Sequence, residues 1–273
     1  MSGRISPMHR RNFIFSSLAL GALPLAQSQA STLNMPAWAN LFREAGVSGC
    51  MAVLDARRGA QTLRVADGPR TQRRYSPAST FKIPHSLFAL DAGLLRDEFQ
   101  VIPWDGVQRS IPAWNQDQTL RSAMRNSTVW VYERFARELG AAKEADYLRR
   151  LDYGNAEVDG AQPFWVEGDL AISAVEQIAF LKRLYLNELP FQVTHQRLVK
   201  DVMVGAAGPD WLLRAKTGWT GRLGWWVGWV EWPEGPVFFA MNMDTPRRLQ
   251  DLPQRQALVR AALQTLKAWP ETL

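Results

Sequence analysis

Apolar and polar positions follow two rhythms along this chain, and each change of rhythm marks a new element. Residues 36–45 repeat apolar side chains at helical spacing and predict a short amphipathic helix. Residues 48–55 and 61–66 read as two strands around a turn at Arg57-Arg58-Gly59. After a polar lead-in at 70–78, Phe81, Ile83, Leu87, Phe88 and Leu90 form an apolar run that stops at Gly93, a helix. Residues 97–118, with Pro103, Pro112 and three aromatics, predict loop and short turns. Residues 119–140 are helical in pattern but interrupted at Asn126-Ser127-Thr128, small polar residues suited to ending one helix and capping the next. A short helix follows at 142–151, then a turn-rich segment from Tyr153-Gly154-Asn155 to about Asp169. Ser173-Ala174-Val175-Glu176 is a capping box for a helix to about Asn187, and 194–204 gives another.

The last third changes character. Residues 211–217, 224–231 and 237–244 are rich in aromatic and β-branched side chains and separated by Gly and Pro turns, which predicts strands. Trp225-Trp226-Val227-Gly228-Trp229 is too heavy on both faces for a solvated strand and predicts a central, covered one. Residues 253–269 close the chain with an amphipathic helix bearing Leu258, Ala262 and Leu266 on one side. Strands at both ends with helices between predict an α+β fold, a mostly antiparallel sheet flanked by helices beside a helical subregion.

The N-terminus stands apart. Arg10 and Arg11 precede an apolar stretch at 13–25, and Ser28-Gln29-Ala30 supplies small residues where a signal peptidase cuts, so residues 1–30 are expected to be a secretory signal peptide. The stretch is too short to span a bilayer. Arg10-Arg11-Asn12-Phe13 also fits a twin-arginine export signal. The expected location is therefore periplasmic or secreted. Losing Arg4, Arg10 and Arg11 lowers the formal charge from +6 to +3, and no basic run is interleaved with aromatics, so a nucleic-acid partner is not indicated. The remaining 31–273 show no linker and no repeat and predict one domain.

Scarce residues exclude several chemistries. Cys50 is the sole cysteine, sits in an apolar run and excludes an intramolecular disulfide or thiolate cluster. Beyond the signal only His85 and His195 remain, which disfavours a histidine metal site and leaves a Ser-His-Asp triad two poor candidates. No metal is expected. Against that background Ser79-Thr80-Phe81-Lys82 stands out. In a helix, i and i+3 share a face, so an amine lies one turn from a hydroxyl at a positively polarised N-terminus, a plausible activated nucleophile. Such a pattern arises by chance in chains this long, so its weight depends on Ser127-Thr128-Val129 and on Lys216-Thr217-Gly218 at a strand end, where a cation, a hydroxyl and a free backbone meet.

Ser79-Thr80-Phe81-Lys82, Ser127-Thr128-Val129, Tyr153-Gly154-Asn155 and Lys216-Thr217-Gly218 together resemble, in order, the class D serine β-lactamases, or oxacillinases. Arg74-Tyr75-Ser76-Pro77-Ala78, Phe164-Trp165-Val166-Glu167-Gly168 and residues 225–229 are similar too, while the Ser-Asp-Asn of class A is absent. The resemblance implies a single catalytic domain at 31–273 that hydrolyses penicillin-type antibiotics through a Ser79 acyl-enzyme. It implies that Lys82, made a free amine by burial, takes up carbon dioxide as a carbamate base. Val129 would form part of its apolar wall and the Trp165 indole would hydrogen-bond it. Ser127 would pass a proton to the lactam nitrogen with help from Lys216, while also serving as an N-cap. The backbone N–H groups of Ser79 and Trp219 would form the oxyanion hole, and Thr217, Gly218 and Arg255 would receive the substrate carboxylate. Tyr153-Gly154-Asn155 reads as structural, and a homodimer is an assembly the family allows. The competing readings are a β-lactam-sensing receptor domain, tethered by transmembrane helices, and a penicillin-binding transpeptidase, which usually carries further domains.

Overall fold

Alternation along the C-terminal strands sends side chains into two different cores. In β6 (Leu223–Trp232), Trp225, Val227 and Trp229 point one way and Trp226 and Val230 the other. In β7 (Gly235–Asp244), Phe238 and Ala240 are divided in the same manner from Val237, Phe239 and Met241. A strand whose two faces both enter apolar cores must be covered on both sides, as the tryptophan run predicts.

The computed structural model describes residues 31–159 and 163–270, with Met1 and Gly3; the proposed signal at 1–30 otherwise lies outside the described residues. Its sheet has seven strands: β1 (Thr32–Asn34), β2 (Gly49–Asp55), β3 (Thr62–Ala66), β4 (Val204–Ala207), β5 (Leu212–Trp219), β6 and β7. They lie in the order β1-β3-β2-β7-β6-β5-β4, so N-terminal and C-terminal strands meet where β2 pairs with β7. Every pairing is antiparallel except that of β1 with β3.

One face carries α1 (Pro36–Glu44) and α9 (Gln254–Thr265), which bury Trp38, Phe42, Leu258 and Leu263 against Met51, Trp226 and Phe239. The other face carries the helical region. It comprises α3 (Lys82–Asp91), α4 (Leu120–Asn126), α5 (Val129–Leu139), α6 (Ala141–Leu151), α7 (Ala174–Leu186) and α8 (Val193–Val202). The short α2 (Gly68–Gln72) precedes them, capped by Asp67. At roughly 1.5–3 kcal/mol for each large apolar side chain fully buried, two such cores hold the sheet firmly enough to fix a site at its edge.

Three boundaries differ from the sequence reading. The helix expected to run to 204 ends at Val202, and Val204–Ala207 becomes the edge strand β4, because β5 offers it a partner. Strand β5 runs through Gly218 to Trp219, so Lys216 lies inside the strand and not at its end. Ser127 does not cap the N-terminus of α5; it is the left-handed C-cap of α4, with φ 54°, and Thr128 takes the N-cap position.

Candidate active site

The segment before the nucleophile is pinned at each residue. Arg74 pairs with Glu176, and Tyr75 and Ile172 exchange backbone hydrogen bonds of 3.0 and 2.9 Å. The Ser76 hydroxyl donates to the Trp165 carbonyl at 2.8 Å, and the Trp225 indole donates to the Ser76 carbonyl at 2.9 Å. The Trp165 carbonyl also accepts from Ala78 N–H at 2.9 Å, and Ala78 is held at φ 48°, a left-handed conformation costing about 1–2 kcal/mol outside glycine. The backbone then tightens into a 3₁₀ turn at Ala78–Phe81, so Ser79 sits on that turn and Lys82 opens α3. The three-residue repeat of a 3₁₀ turn brings positions i and i+3 into register. Lys82 Nζ donates to Ser79 Oγ at 2.9 Å.

Lys82 is buried, with its amine 5.0 Å from the centre of the Tyr132 ring. Burial above all, and then the charge of Lys216, push its pKa well below the ordinary lysine value, against a weaker opposing pull from Glu133. The shift favours the uncharged amine, the form that can accept a proton. Phe81, the residue before Lys82, stacks on Trp165 at 5.6 Å. The Trp165 indole N–H is buried and has no hydrogen-bond partner among the described residues.

The second wall is β5. Gly218 lies so close to the nucleophile turn that a Cβ there would stand 3.0 Å from the Pro77 carbonyl and 3.3 Å from the Ala78 Cβ. A Cβ there would need its neighbours to give by a few tenths of an ångström, so glycine favours the close approach of β5 to the turn bearing Ser79. Lys216 is buried and donates to the Thr217 carbonyl at 3.1 Å. Burial first, and then the Arg255 charge, lower its pKa to about 7. Arg255 reaches the same strand from α9, donating to the Gly218 carbonyl at 2.9 Å, and burial lowers its pKa to about 10. Of its neighbours, Arg247 pairs with Asp251, Arg248 is exposed, and Arg260 lies over Trp269 while lining a cavity with Lys216 and Thr217. Met124, Arg125, Lys216 and Thr217 line one cavity of about 440 Å³, so the end of α4 just before Ser127 borders the strand.

Two buried lysines, a serine on a tight turn and an arginine bonded to the Gly218 carbonyl form a constellation for acyl transfer to and from an anionic substrate. Comparison with known proteins agrees. Residues 49–264 match the penicillin binding protein transpeptidase domain family. The chain is 57% identical over 258 residues to β-lactamase OXA-2 of Salmonella typhimurium, covering 94% of this chain and 93% of that one. The chain belongs to the class D serine β-lactamases. It is 47% identical to β-lactamase OXA-48 of Klebsiella pneumoniae over 74% of this chain and 77% of that one. The crystal structure of the class D β-lactamase YbXI from Nostoc superimposes with a TM-score of 0.80 at 36% identity, over 84% of this chain and 98% of that one.

Within this class D fold the residues singled out by sequence come together unevenly. Ser79, Lys82, Lys216, Gly218 and Arg255 are joined directly or through one neighbour. Val129 is half-buried on the first turn of α5, three residues before Tyr132. Ser127 is half-buried, and its hydroxyl takes part in no hydrogen bond among the described residues. The Trp219 indole turns to the Thr245 hydroxyl at 3.1 Å. Gly154 adopts φ 59°, and a Cβ there would stand 2.0 Å from the Ala171 carbonyl, while the Asn155 side chain bonds the Asp169 carbonyl and the Ala171 N–H. Tyr153-Gly154-Asn155 is thus a loop lock, as read. Tyr132 was missed by sequence reasoning, although its position one turn from Val129 on α5 was a usable signal. Cys50 is buried, and burial raises its pKa to about 12. Among the described residues no group of three or more His, Cys, Asp or Glu could hold a metal ion, and no helix is long and apolar enough to cross a membrane.

Proposed function

We propose that Ser79 attacks the carbonyl of a penicillin- or oxacillin-type β-lactam and that Lys82 is the base for this step and for the water that follows. The protein is a class D β-lactamase, a hydrolase of the β-lactam amide. One observation carries the assignment of roles: Lys82 Nζ, buried and depressed in pKa, lies 2.9 Å from Ser79 Oγ. The base at Lys82 takes the hydroxyl proton as Oγ bonds to the carbonyl carbon. Backbone N–H groups of Ser79 and Trp219 receive the developing oxyanion, a contribution of about 10²–10³ in rate per donor. Ser127 delivers a proton to the lactam nitrogen as the C–N bond breaks. Lys216, charged for part of the population near pH 7, stabilises negative charge there. Arg255 and Thr217 receive the substrate carboxylate.

The residues around Lys82 fit a carbamate. A free amine is the species that reacts with carbon dioxide, and the buried, unpartnered Trp165 N–H is a donor awaiting an acceptor. Held there, with Val129 on its apolar side, a carbamate would supply a carboxylate-like base at the same position. Residues 1–30 support export and a periplasmic or secreted location.

Nitrocefin turnover tests the hydrolase assignment. Sustained turnover is expected, and a single stoichiometric burst would point to a sensor or transpeptidase instead. Bicarbonate-free, degassed buffer should slow the steady state and added bicarbonate restore it. Indifference to bicarbonate would leave the amine itself as the base.

A further inference from the structure

His85 lies on α3 one turn past Lys82, fully buried, and the chemistry above gives it no task. Its ring packs among the aromatic walls of the lysine pocket, with centroid distances of 5.1 Å to Phe81, 5.2 Å to Trp165 and 5.8 Å to Tyr132. Tyr132 underlies the Lys82 amine and Trp165 holds the unpartnered indole N–H. On its other side, His85 Nε2 lies 2.7 Å from Glu144 Oε1 of α6, a close ion-pair distance, and among the described residues neither His85 nitrogen nor either Glu144 oxygen makes any hydrogen bond. Glu144 is as fully buried as His85. An ionisable pair in an apolar cluster is costly, and apolar side chains of like volume would fill the space more cheaply. What the pair adds is orientation. A carboxylate 2.7 Å from Nε2 restricts how the imidazole can turn, and the Trp165 and Tyr132 rings packed on it are restricted with it.

We propose that His85, clamped by Glu144, is a positioning residue for the base: it fixes the Trp165 indole and the Tyr132 ring about Lys82 Nζ and so sets how readily that amine takes up carbon dioxide. The inference rests on the reading that Lys82 works as a carbamate. In that reaction Nζ bonds to the carbon of carbon dioxide, one C=O π pair moves onto oxygen, and the proton displaced from nitrogen leaves to solvent. The oxygen that gains charge needs a donor, and the Trp165 N–H supplies one only if the indole is correctly turned. Groups that orient a ligating side chain from behind commonly govern affinity by about 10–100-fold.

The test titrates the intact enzyme with ¹³C-labelled bicarbonate at one pH, reading the carbamate resonance, with thermal midpoints measured in parallel. The wild type should give a saturating resonance. His85→Asn should need about tenfold more bicarbonate for half-saturation, and Glu144→Gln should shift in the same direction by less. In a Trp165→Phe background the His85→Asn shift should largely vanish, because the histidine acts through the indole. A wild type without any resonance overturns the carbamate reading, and the positioning role falls with it. A wild-type resonance with both variants saturating at the wild-type concentration overturns the positioning role alone, as does a shift that adds fully to that of Trp165→Phe. Should His85→Asn not fold, Glu144→Gln keeps the volume of the pair and decides by the same comparison.

Discussion

Two lysines lose their water in this molecule and emerge with different chemistry. Lys82 sits over the Tyr132 ring at the start of α3, its amine hydrogen-bonded to the nucleophile, and burial drives its pKa well below the ordinary lysine value. Lys216 sits in β5 with a backbone carbonyl for a partner and Arg255 as its main charged neighbour, and its pKa falls only to about 7. The nucleophile side needs a proton acceptor, while the leaving-group side needs positive charge. The fold obtains both from one residue type by what it packs around each amine. The Lys216 charge is the second cause of the Lys82 shift, so the leaving-group side helps keep the nucleophile side basic.

The largest effect should come from removing the acceptor. Lys82→Ala is expected to slow acylation of Ser79 by about 10²–10⁴ and deacylation at least as much, read by rapid-quench burst kinetics. Lys82→Arg should do no better, because a guanidinium cannot give up its proton. A Lys82→Arg enzyme with near wild-type bursts would show that charge, not basicity, is what this position contributes.

Lys216 should respond in the opposite sense. Lys216→Met is expected to lower kcat/KM by about 10²-fold through lost electrostatic stabilisation, whereas Lys216→Arg keeps the charge and should recover much of it. In the free wild-type enzyme the ammonium is lost as pH rises through about 7, so kcat/KM should decline on that limb. Lys216→Arg should move the decline to higher pH. An unmoved limb would assign it to another group.

The comparison also depends on the strand reaching the turn. Gly218→Ala would put a methyl against the Pro77 carbonyl and the Ala78 Cβ, forcing β5 away from Ser79. Overpacking of this kind costs about 1–3 kcal/mol. Urea unfolding should show that loss together with a fall in acylation rate, and a stable, fully active variant would mean the two walls are not rigidly coupled.

How much of this was legible in the sequence depends on what each feature answers to. The strands around Trp225–Trp229 and the capping box at Ser173 answer to local pattern, and both were visible. So was the Ser79–Lys82 face, although the element is a 3₁₀ turn there. That turn depends on Ala78 at positive φ, held by a carbonyl from the distant Trp165 loop, and nothing in Arg74-Tyr75-Ser76-Pro77-Ala78 announces it. Arg255 could be chosen among four arginines only by family likeness, and it is α9 packing that aims it at Gly218. His85 read as an idle residue because its partner Glu144 comes from another helix. Edge strand β4 was hidden in a helical pattern, since its hydrogen bonds exist only once β5 is in place.

The smallest effect separates the two lysines by stability. In the unfolded chain both are ordinary amines, protonated up to about pH 10.4. In the fold Lys82 stays neutral far below that and Lys216 becomes neutral above about 7, so the unfolded state binds more protons. Stability must then rise with pH, by at most about 1.4 kcal/mol per pH unit for each lysine. Above about pH 9 Cys50 opposes the rise, because its thiol ionises readily only when unfolded. Urea unfolding in bicarbonate-free buffer between pH 6 and 9 (a span chosen to lie on both sides of the Lys216 transition) distinguishes the two. Lys216→Met should flatten the curve only above about pH 7, and Lys82→Met wherever the folded amine has already given up its proton. Identical flattening by both would mean that the two amines are neutralised together, and that the division of labour between the walls is not written in their proton affinities.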